Sequence, residues 1–573
     1  MADLKVTDLR VDYRTSTRVI HAVRGASFEV RTGERVALVG ESGSGKTTTA
    51  LALMQMINPP GRIIGGTAQL GDIDLLALKG DAVRDARLKT VSYIPQGAMN
   101  SLNPVLTILE QIADGLRDHG IQLDKAGERE RARQVLESVG LNASVADLYP
   151  HQLSGGMKQR VCIAIGIVMR PDLIVADEPT SALDVITQKQ VMETLIRVQE
   201  DIGCGLILIG HDMGLMAQST HRVIVMQDGL IVEDSPVSEI FIRPRHAYSK
   251  MLIDSVPTLG QRPLRAANSG DAKPQADDDV LLRFNAVSKT FGSRFLGGTP
   301  NLALDTCSFR LSGGQPQIVS VVGQSGSGKT TMARMILGFE RPTGGEVLYR
   351  GKSLAGLSGA ERRTFRREVQ AIFQDPYGSF NPFYKVDRAL SEPLRNFGLA
   401  SGRRAIYERM ERACEAVGLN GSEILGRFPH ELSGGQRQRL MVARSLMLSP
   451  RLIVADEPVS MVDASLRMTI LGNLQKLKQE YAISVLYITH DLATAYHVSD
   501  YVLVLHKGRI VEAGRPEDVI ENPAHPYTQS LVATIPWPDP DRPWAGGPLT
   551  QEGWETQAII RGDSEGFVLE RAA

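Results

Sequence analysis

GESGSGKT at residues 40–47 and GQSGSGKT at residues 323–330 decide how this chain is read. Each follows a short apolar run, RVALV at 35–39 and IVSVV at 318–322, and each leads into a helix-compatible segment, residues 47–56 and 330–337. Apolar strand, glycine loop and helix in that order form a cradle for phosphate groups. Gly40, Gly43 and Gly45 let backbone N–H groups turn inward around the anion, and the helix that follows points its N-terminus at the same charge. Lys46 is placed to neutralise β and γ oxygens and Thr47 to ligate Mg2+, with Ser42 and Thr48 in the same contact set. The second loop offers Gly323, Ser325, Gly326, Gly328, Lys329, Thr330 and Thr331 for the same tasks.

The remaining motifs also occur twice and in the same order. The first half continues with Gln96, LSGGMKQR (153–160), LIVADEP (173–179), SALD (181–184) and His211. The second continues with Gln374, LSGGQRQR (432–439), LIVADEP (452–458), SMVD (460–463) and His490. Ser433 follows Ser154 by 279 residues, and the same interval separates Asp456 from Asp177 and His490 from His211. A duplication on this scale settles the architecture before any finer reading: two nucleotide-hydrolysing domains share one polypeptide. Asp177 and Asp456 end apolar strands, where a carboxylate orients Mg2+. The adjacent Glu178 and Glu457 suit a general base for an attacking water. His211 and His490 also follow apolar strands and recur at the repeat interval, which points to contact with the γ-phosphate. LSGGQ also occurs at 311–315, but no helical stretch precedes it and no QR follows, so it reads as a turn between strands.

Bulk properties agree with two folded units. The 573 residues are 42% hydrophobic and 23% charged, ordinary values for chains that bury a core. A net charge of −1 argues against a nucleic-acid backbone as the main partner. The four cysteines form no C-x-x-C pair and suggest neither zinc nor an iron–sulfur cluster. The N-terminus carries no apolar signal core, and no stretch approaches the ~20 apolar residues needed to span a bilayer. The expectation is a chain soluble by itself, with any membrane role exercised through other subunits. The Glu-, Arg-, Ala- and Leu-rich stretches 125–139 and 403–417 read as helical lobes. Residues 260–279 (GQRPLRAANSGDAKPQADDD) read as a linker, and the Pro/Gly-rich tail after about residue 536 as irregular. The divisions are therefore 1–259, a linker 260–279, 280–536 and a tail 537–573.

This motif set resembles the ATP-binding cassette family over almost the whole chain. The resemblance implies an α/β fold: two tandem P-loop NTPase domains, each with a RecA-like α/β core, a helical lobe and an antiparallel β lobe. It implies ATP and Mg2+ as cofactors, with Thr47, Gln96 and Asp177, and Thr330, Gln374 and Asp456, at the metal. It also implies head-to-tail closure on two ATP molecules, each cradle working with the other half's signature. Ser433, Gly434 and Gly435 then complete the first site and Ser154, Gly155 and Gly156 the second. An aromatic near each domain's start stacks on adenine in the family; Tyr13 and Phe291 fill that role here. RPRHAYSKML (243–252) and NPAHPYTQSL (522–531) resemble the segment after the cassette in oligopeptide, dipeptide and nickel importers. GAMNSLNP (97–104) and DPYGSFNP (375–382) resemble the stretch that in that group borders the groove for a coupling helix. GAMN and ASLR (464–467) are also similar to members that move oligosaccharides.

The resemblance therefore implies an ATPase subunit at the cytoplasmic face of the inner membrane. It would be peripheral, bound to two transmembrane permeases and served by an extracytoplasmic solute-binding protein, with no nucleic-acid partner. Peptides are the expected cargo and oligosaccharides the alternative. A soluble twin-cassette ATPase acting on ribosomes or DNA is the competing class. It is disfavoured by the short non-helical linker and by the lack of zinc cysteines or long coiled coils.

Overall fold

The structure is a computed structural model that describes residues 2–14, 18–97, 101–181, 183–256, 280–292, 300–374, 378–459, 464–542, 544, 554, 558–560 and 567–568. The linker expected at 260–279 lies outside these residues, as does the SMVD segment at 460–463. Two compact units emerge. One comprises Met1–Val256, Asp463–Ser465 and Pro536–Gly546; the other comprises Pro257–Val462, Leu466–Ile535 and Gly547–Ala573.

In the first unit a six-stranded sheet runs in the order Leu230–Pro236, Arg222–Gln227, Arg35–Val39, Gly205–Gly210, Leu173–Asp177, Val91–Ile94. All neighbours are parallel except the first pair. The cradle strand Arg35–Val39 lies inside this sheet and is buried on both faces. Its side chains alternate between two cores, Ala37 and Val39 on one side and Val36 and Leu38 on the other, as the period of two in a strand dictates. Leu206 and Leu208 against Ile207 and Ile209, and Ile174 and Ala176 against Leu173 and Val175, divide the same way. Strands buried on both faces carry no polar alternation, which is why the sequence shows them as unbroken apolar runs.

A second, antiparallel sheet of Val19–Val30, Leu4–Arg14, Gly61–Leu70 and Ile73–Asp74 closes one of these cores. The other core is closed by the helices Ile108–Asp118, Lys125–Ser138 and Gly155–Ile167. Ile108, Ile112 and Leu116 form the buried stripe of the first helix, at the i, i+4, i+8 spacing of one helix face. Each helix start is capped: Thr107 forms a reciprocal box with Glu110, Asp124 accepts from the Gly127 N–H at 2.8 Å, and Ser154 accepts from the Met157 N–H. Such caps satisfy N–H groups that have no partner within the helix.

The second unit repeats this plan. Its main sheet runs Val369–Ile372, Leu452–Asp456, Ser484–Thr489, Ile318–Val322, Tyr501–His506, Arg509–Gly514, Ile559–Ile560. Its antiparallel sheet contains Lys352–Ser353, Gly344–Tyr349, Val280–Phe291, Asn301–Ser312 and Phe567–Val568. The helices Val386–Asn396, Arg403–Ala416 and Gly434–Leu446 stand where the helical lobe was expected. The extra LSGGQ is a turn: Leu311 and Ser312 end one strand, and a bend leads to the cradle strand at Ile318.

The tail departs from the irregular segment expected from its composition. Ile559–Ile560 adds in parallel to Arg509–Gly514, and Phe567–Val568 adds antiparallel to Asn301–Ser312. Two-residue apolar pairs are too short to register as strands in a sequence, yet they pair with exposed sheet edges. Between Ile535 and these strands the chain crosses to the first unit. There Gln218 donates to the carbonyls of Trp537 and Asp539 at 3.0 and 2.7 Å. A Cβ on Gly214 would lie 2.3 Å from the Pro536 carbonyl oxygen.

All four cysteines are free and buried. Burial pushes the Cys162 thiol up to about 12 and those of Cys204 and Cys414 to about 11, so these are inert packing residues. Among the described residues no helix is long and apolar enough to cross a membrane, and no group of three or more His, Cys, Asp or Glu is arranged to hold a metal ion.

Candidate functional site

Each cradle is shaped by two glycines that no other residue could replace. Gly40 and Gly45 have φ of +150° and +104°, the second in the left-handed region that favours glycine. A Cβ on Gly40 would meet the Met226 carbonyl oxygen at 2.2 Å, and one on Gly45 the Ala22 carbonyl oxygen at 2.5 Å. Gly323 and Gly328 make the same approaches to the carbonyls of Leu505 and Ala303, at 2.2 and 2.4 Å. The loop is therefore wedged between the main sheet and the antiparallel sheet. Lys46 and Lys329 are buried and fold back over it: Lys46 Nζ donates to the Gly40 and Glu41 carbonyls, both at 2.7 Å, and Lys329 Nζ to those of Gly323 and Gln324 at 2.6 and 2.8 Å. Thr47 and Thr48, and Thr330 and Thr331, occupy the first turn of the helices Lys46–Leu53 and Lys329–Ile336. Ser42, Gly43, Ser325 and Gly326 form the exposed lip of the loops.

At the end of the neighbouring strand, Glu178 and Glu457 have φ of +44° and +46°, left-handed values that are strained for a glutamate. The Glu178 N–H donates to the Ile209 carbonyl and the Glu457 N–H to the Ile488 carbonyl, both at 2.9 Å. Each carboxylate is gripped on both oxygens. Gln96 Nε2 donates to Glu178 Oε2 at 2.6 Å, and His211 Nδ1 lies 3.0 Å from Oε1. Gln374 and His490 hold Glu457 the same way, at 2.9 and 3.0 Å. The structure thus brings together in each unit the lysine, aspartate, glutamate, glutamine and histidine that the sequence nominates.

The electrostatics follow from the packing. Burial pushes the Glu178 carboxyl up, but the bond and charge of His211, with Lys46, outweigh it and hold the group below the usual carboxylate range. Burial opposed by His490 and Lys329 has the same net result for Glu457. Burial pulls His490 down, and its bond to Glu457 outweighs this and leaves it above an ordinary histidine. Burial raises Asp177 against hydrogen bonds from Thr47 and Tyr93. Asp456 is pushed up to about 6 by burial and by Glu457, with Lys329 and Thr330 opposing. The set suits a divalent cation: Asp177 Oδ1 is buried with no hydrogen-bond donor, and Thr47 bonds the same carboxylate.

The signature serines cap helices. Ser433 Oγ accepts from the Gln436 N–H at 3.2 Å, and the Gln436 side chain returns the bond to the Ser433 N–H at 2.9 Å. Ser154 keeps only the first of these, because Met157 replaces the glutamine. Gly155 and Gly434 open these helices. A Cβ on Gly156 would meet Thr187 at 2.3 Å and one on Gly435 would meet Leu466 at 2.6 Å, so the second glycine is demanded by packing. Tyr13 pairs with Ile20, two residues before the Ala22 that contacts the loop, and Phe291 pairs with Asn301, two before Ala303. Phe291 therefore stands at the register position of Tyr13, although the Lys289 ammonium lies 4.9 Å over its ring.

One pair of residues escaped sequence reasoning. The Tyr248 hydroxyl accepts from the Glu41 N–H at 2.8 Å and the Tyr527 hydroxyl from the Gln324 N–H at 2.9 Å. Both tyrosines belong to the HAYS and HPYT stretches, so these segments hold the phosphate loop from behind. The stretches are themselves anchored: Glu233 accepts from the N–H groups of Arg245 and His246, and Glu512 from those of Ala524 and His525. Tyr527 is further packed against His506 and Trp554. The recurrence of a tyrosine two residues after each histidine was the available signal; nothing local tells that its hydroxyl reaches a loop some 200 positions earlier.

Tyr527→Phe deletes the acceptor for the Gln324 N–H and is expected to destabilise the loop by about 1 kcal/mol. Amide exchange over residues 323–328 should quicken while the sheet strands stay protected. The Asp456 carboxyl has a folded pKa above its ordinary value, so its ionisation opposes folding fully above about pH 6 and fades as pH falls towards 4. Asp456→Asn is therefore expected to stabilise the metal-free chain at neutral pH by on the order of 2 kcal/mol. The gain should vanish near pH 4 in thermal unfolding.

Comparison with known proteins agrees with this geometry. The ABC transporter family model matches residues 23–181 and 304–460, and the oligopeptide/dipeptide transporter C-terminal region matches 232–279 and 511–562. Glutathione import ATP-binding proteins GsiA of Escherichia coli (strain K12) and Shigella dysenteriae serotype 1 are each 37% identical over 98% of this chain and 94% of their own. That of Salmonella paratyphi A is 39% identical over 94% and 90%. An archaeal ribosome recycling factor, solved in complex with a ribosomal stalk protein, aligns over 88% of this chain and 89% of its own with a TM-score of 0.54 and 19% identity, a likeness of fold alone. With both cradles, both strand-end carboxylates and both C-terminal regions inside the matched residues, the chain belongs to the ABC transporter family, as a tandem pair of ATP-binding cassettes.

Proposed function

We propose that this chain is the ATP-hydrolysing subunit of an importer for small peptides. One observation carries the reading: each half joins a complete cradle, carboxylate and histidine set to an oligopeptide/dipeptide transporter C-terminal region. Glutathione, named for the relatives, is a tripeptide and falls within this cargo class. The partners are two membrane permeases, fed by a solute-binding protein, and the chain sits at the cytoplasmic face of the membrane through them.

In this reading the loop N–H groups with Lys46, and with Lys329, bind the phosphates, and Tyr13 and Phe291 stack on adenine. Thr47, Asp177 and Gln96 hold one Mg2+, and Thr330, Asp456 and Gln374 the other. Mg2+ held there would offset the charge of the nucleotide phosphates. Glu178 and Glu457 accept the proton of the attacking water. They are suited to it because His211 and His490 keep them ionised and hold one oxygen of each in place. Gln96 and Gln374 hold each base through one oxygen and link it to the metal ligands beside it. Ser154, Gly155 and Gly156, and Ser433, Gly434 and Gly435, open capped helix N-termini of the kind that receive phosphate groups.

Glu178→Gln or Glu457→Gln is expected to lower turnover at its own site by about 10²–10⁴-fold while ATP binding persists, because only the base is lost. Single-turnover hydrolysis and equilibrium nucleotide binding measure the two separately; normal turnover in both variants would remove the base assignment. The importer reading is tested by affinity purification of the tagged chain from gently solubilised membranes. Two multi-spanning permeases should accompany it, and ribosomal or DNA-repair proteins in their place would overturn the reading.

A further inference from the structure

The two metal-binding carboxylates differ in one neighbour. Tyr93 lies on the strand Val91–Ile94, paired with Val175 of the strand that ends in Asp177, and its hydroxyl donates to Asp177 Oδ2 at 3.0 Å. In the second unit the strand Val369–Ile372 pairs in the same register, with Ala371 opposite Val454. Ala371 is thus the counterpart of Tyr93, and it has no side-chain donor. The other groups around the two aspartates match: Thr47 and Thr330, Lys46 and Lys329, Glu178 and Glu457, Gln96 and Gln374, His211 and His490.

We propose that Tyr93 is a positioning residue for Asp177 and that it makes the two ATP sites unequal, the first holding its divalent cation more tightly. This rests on the reading of Asp177 and Asp456 as metal ligands. The phenol pins one carboxylate oxygen, and the other, Oδ1, is left buried and without a donor, ready for a cation. An oriented ligand loses less freedom when the metal binds. The Asp456 carboxylate receives from Thr330 the bond that Asp177 receives from Thr47, but no counterpart of the tyrosine's, and such a terminal torsion is broad and roughly two-fold. A donor on a carboxylate also withdraws charge, which works against metal binding. Substitutions of groups that orient metal ligands show which effect wins: they weaken metal affinity by about 10–100-fold.

The test uses the full chain, Mn2+ in place of Mg2+ and a non-hydrolysable ATP analogue, with free Mn2+ followed by electron paramagnetic resonance. A Lys329→Ala background isolates the first site and a Lys46→Ala background the second. The first site should bind Mn2+ more tightly. Tyr93→Phe, close to isosteric, should weaken Mn2+ there by about tenfold, leave metal-free binding of the analogue unchanged and have no effect in the Lys46→Ala background. Equal metal affinity at the two sites, an unchanged or tighter Mn2+ affinity in Tyr93→Phe, or a parallel loss of metal-free analogue binding would each overturn the proposal. Asp177→Asn is measured alongside. If it loses Mn2+ while Tyr93→Phe does not, the tyrosine's role alone falls; if it also keeps Mn2+, the metal-ligand reading falls and takes this proposal with it.

Discussion

In each unit one glutamate is held in a backbone conformation it would not choose, and the rest of the unit is arranged so that it stays there. Glu178 and Glu457 step off the end of a buried strand with positive φ. Such a conformation costs on the order of 1–3 kcal/mol and persists only when its surroundings over-determine it. Two elements do so: the adjacent strand, whose Ile209 or Ile488 carbonyl takes the amide and whose end delivers His211 or His490, and the edge strand, which delivers Gln96 or Gln374. Strand order, in turn, depends on the alternating cores above and below the sheet.

The phosphate loop is constrained from the opposite direction. Its glycines approach carbonyls of two different sheets, and its second residue is tied to a tyrosine of the C-terminal region. The C-terminal region is therefore a structural part of the nucleotide site and more than an appendage that marks a subfamily. A displacement of the HAYS or HPYT stretch moves an acceptor bonded directly to a residue whose carbonyl holds Lys46 or Lys329.

Much of this was legible in the sequence, for definable reasons. The cradle needs glycine at fixed positions and lysine next to the last of them, so its chemistry is written in eight consecutive residues. Strands buried on both faces show as apolar runs, and duplication gives isolated residues such as His211 and His490 a weight that neither has alone. What was not legible depends on single side chains acting across long sequence distances. The hydroxyls of Tyr248 and Tyr527 are of this kind, and so is the contrast between Tyr93 and Ala371. Spacing alone does not align Phe291 with Tyr13, because the connection between its strand and the next differs in length from that in the first half; strand register does. The tail misled because proline and glycine dominate its composition, while two apolar pairs and a few carbonyls do its packing.

That tail also sets an order in time. Residues 536–546 count with the first unit, where Gln218 binds two of their carbonyls beside the helix that follows His211. Translation proceeds at about 5–20 residues per second and domains generally fold as they emerge. The first unit is thus begun before the second and finished after most of it, its surface at Gly214 and Gln218 left bare until residues 536–546 have been made. A messenger that stops short of the tail would yield two cassettes with every motif intact and a first unit still missing its last piece.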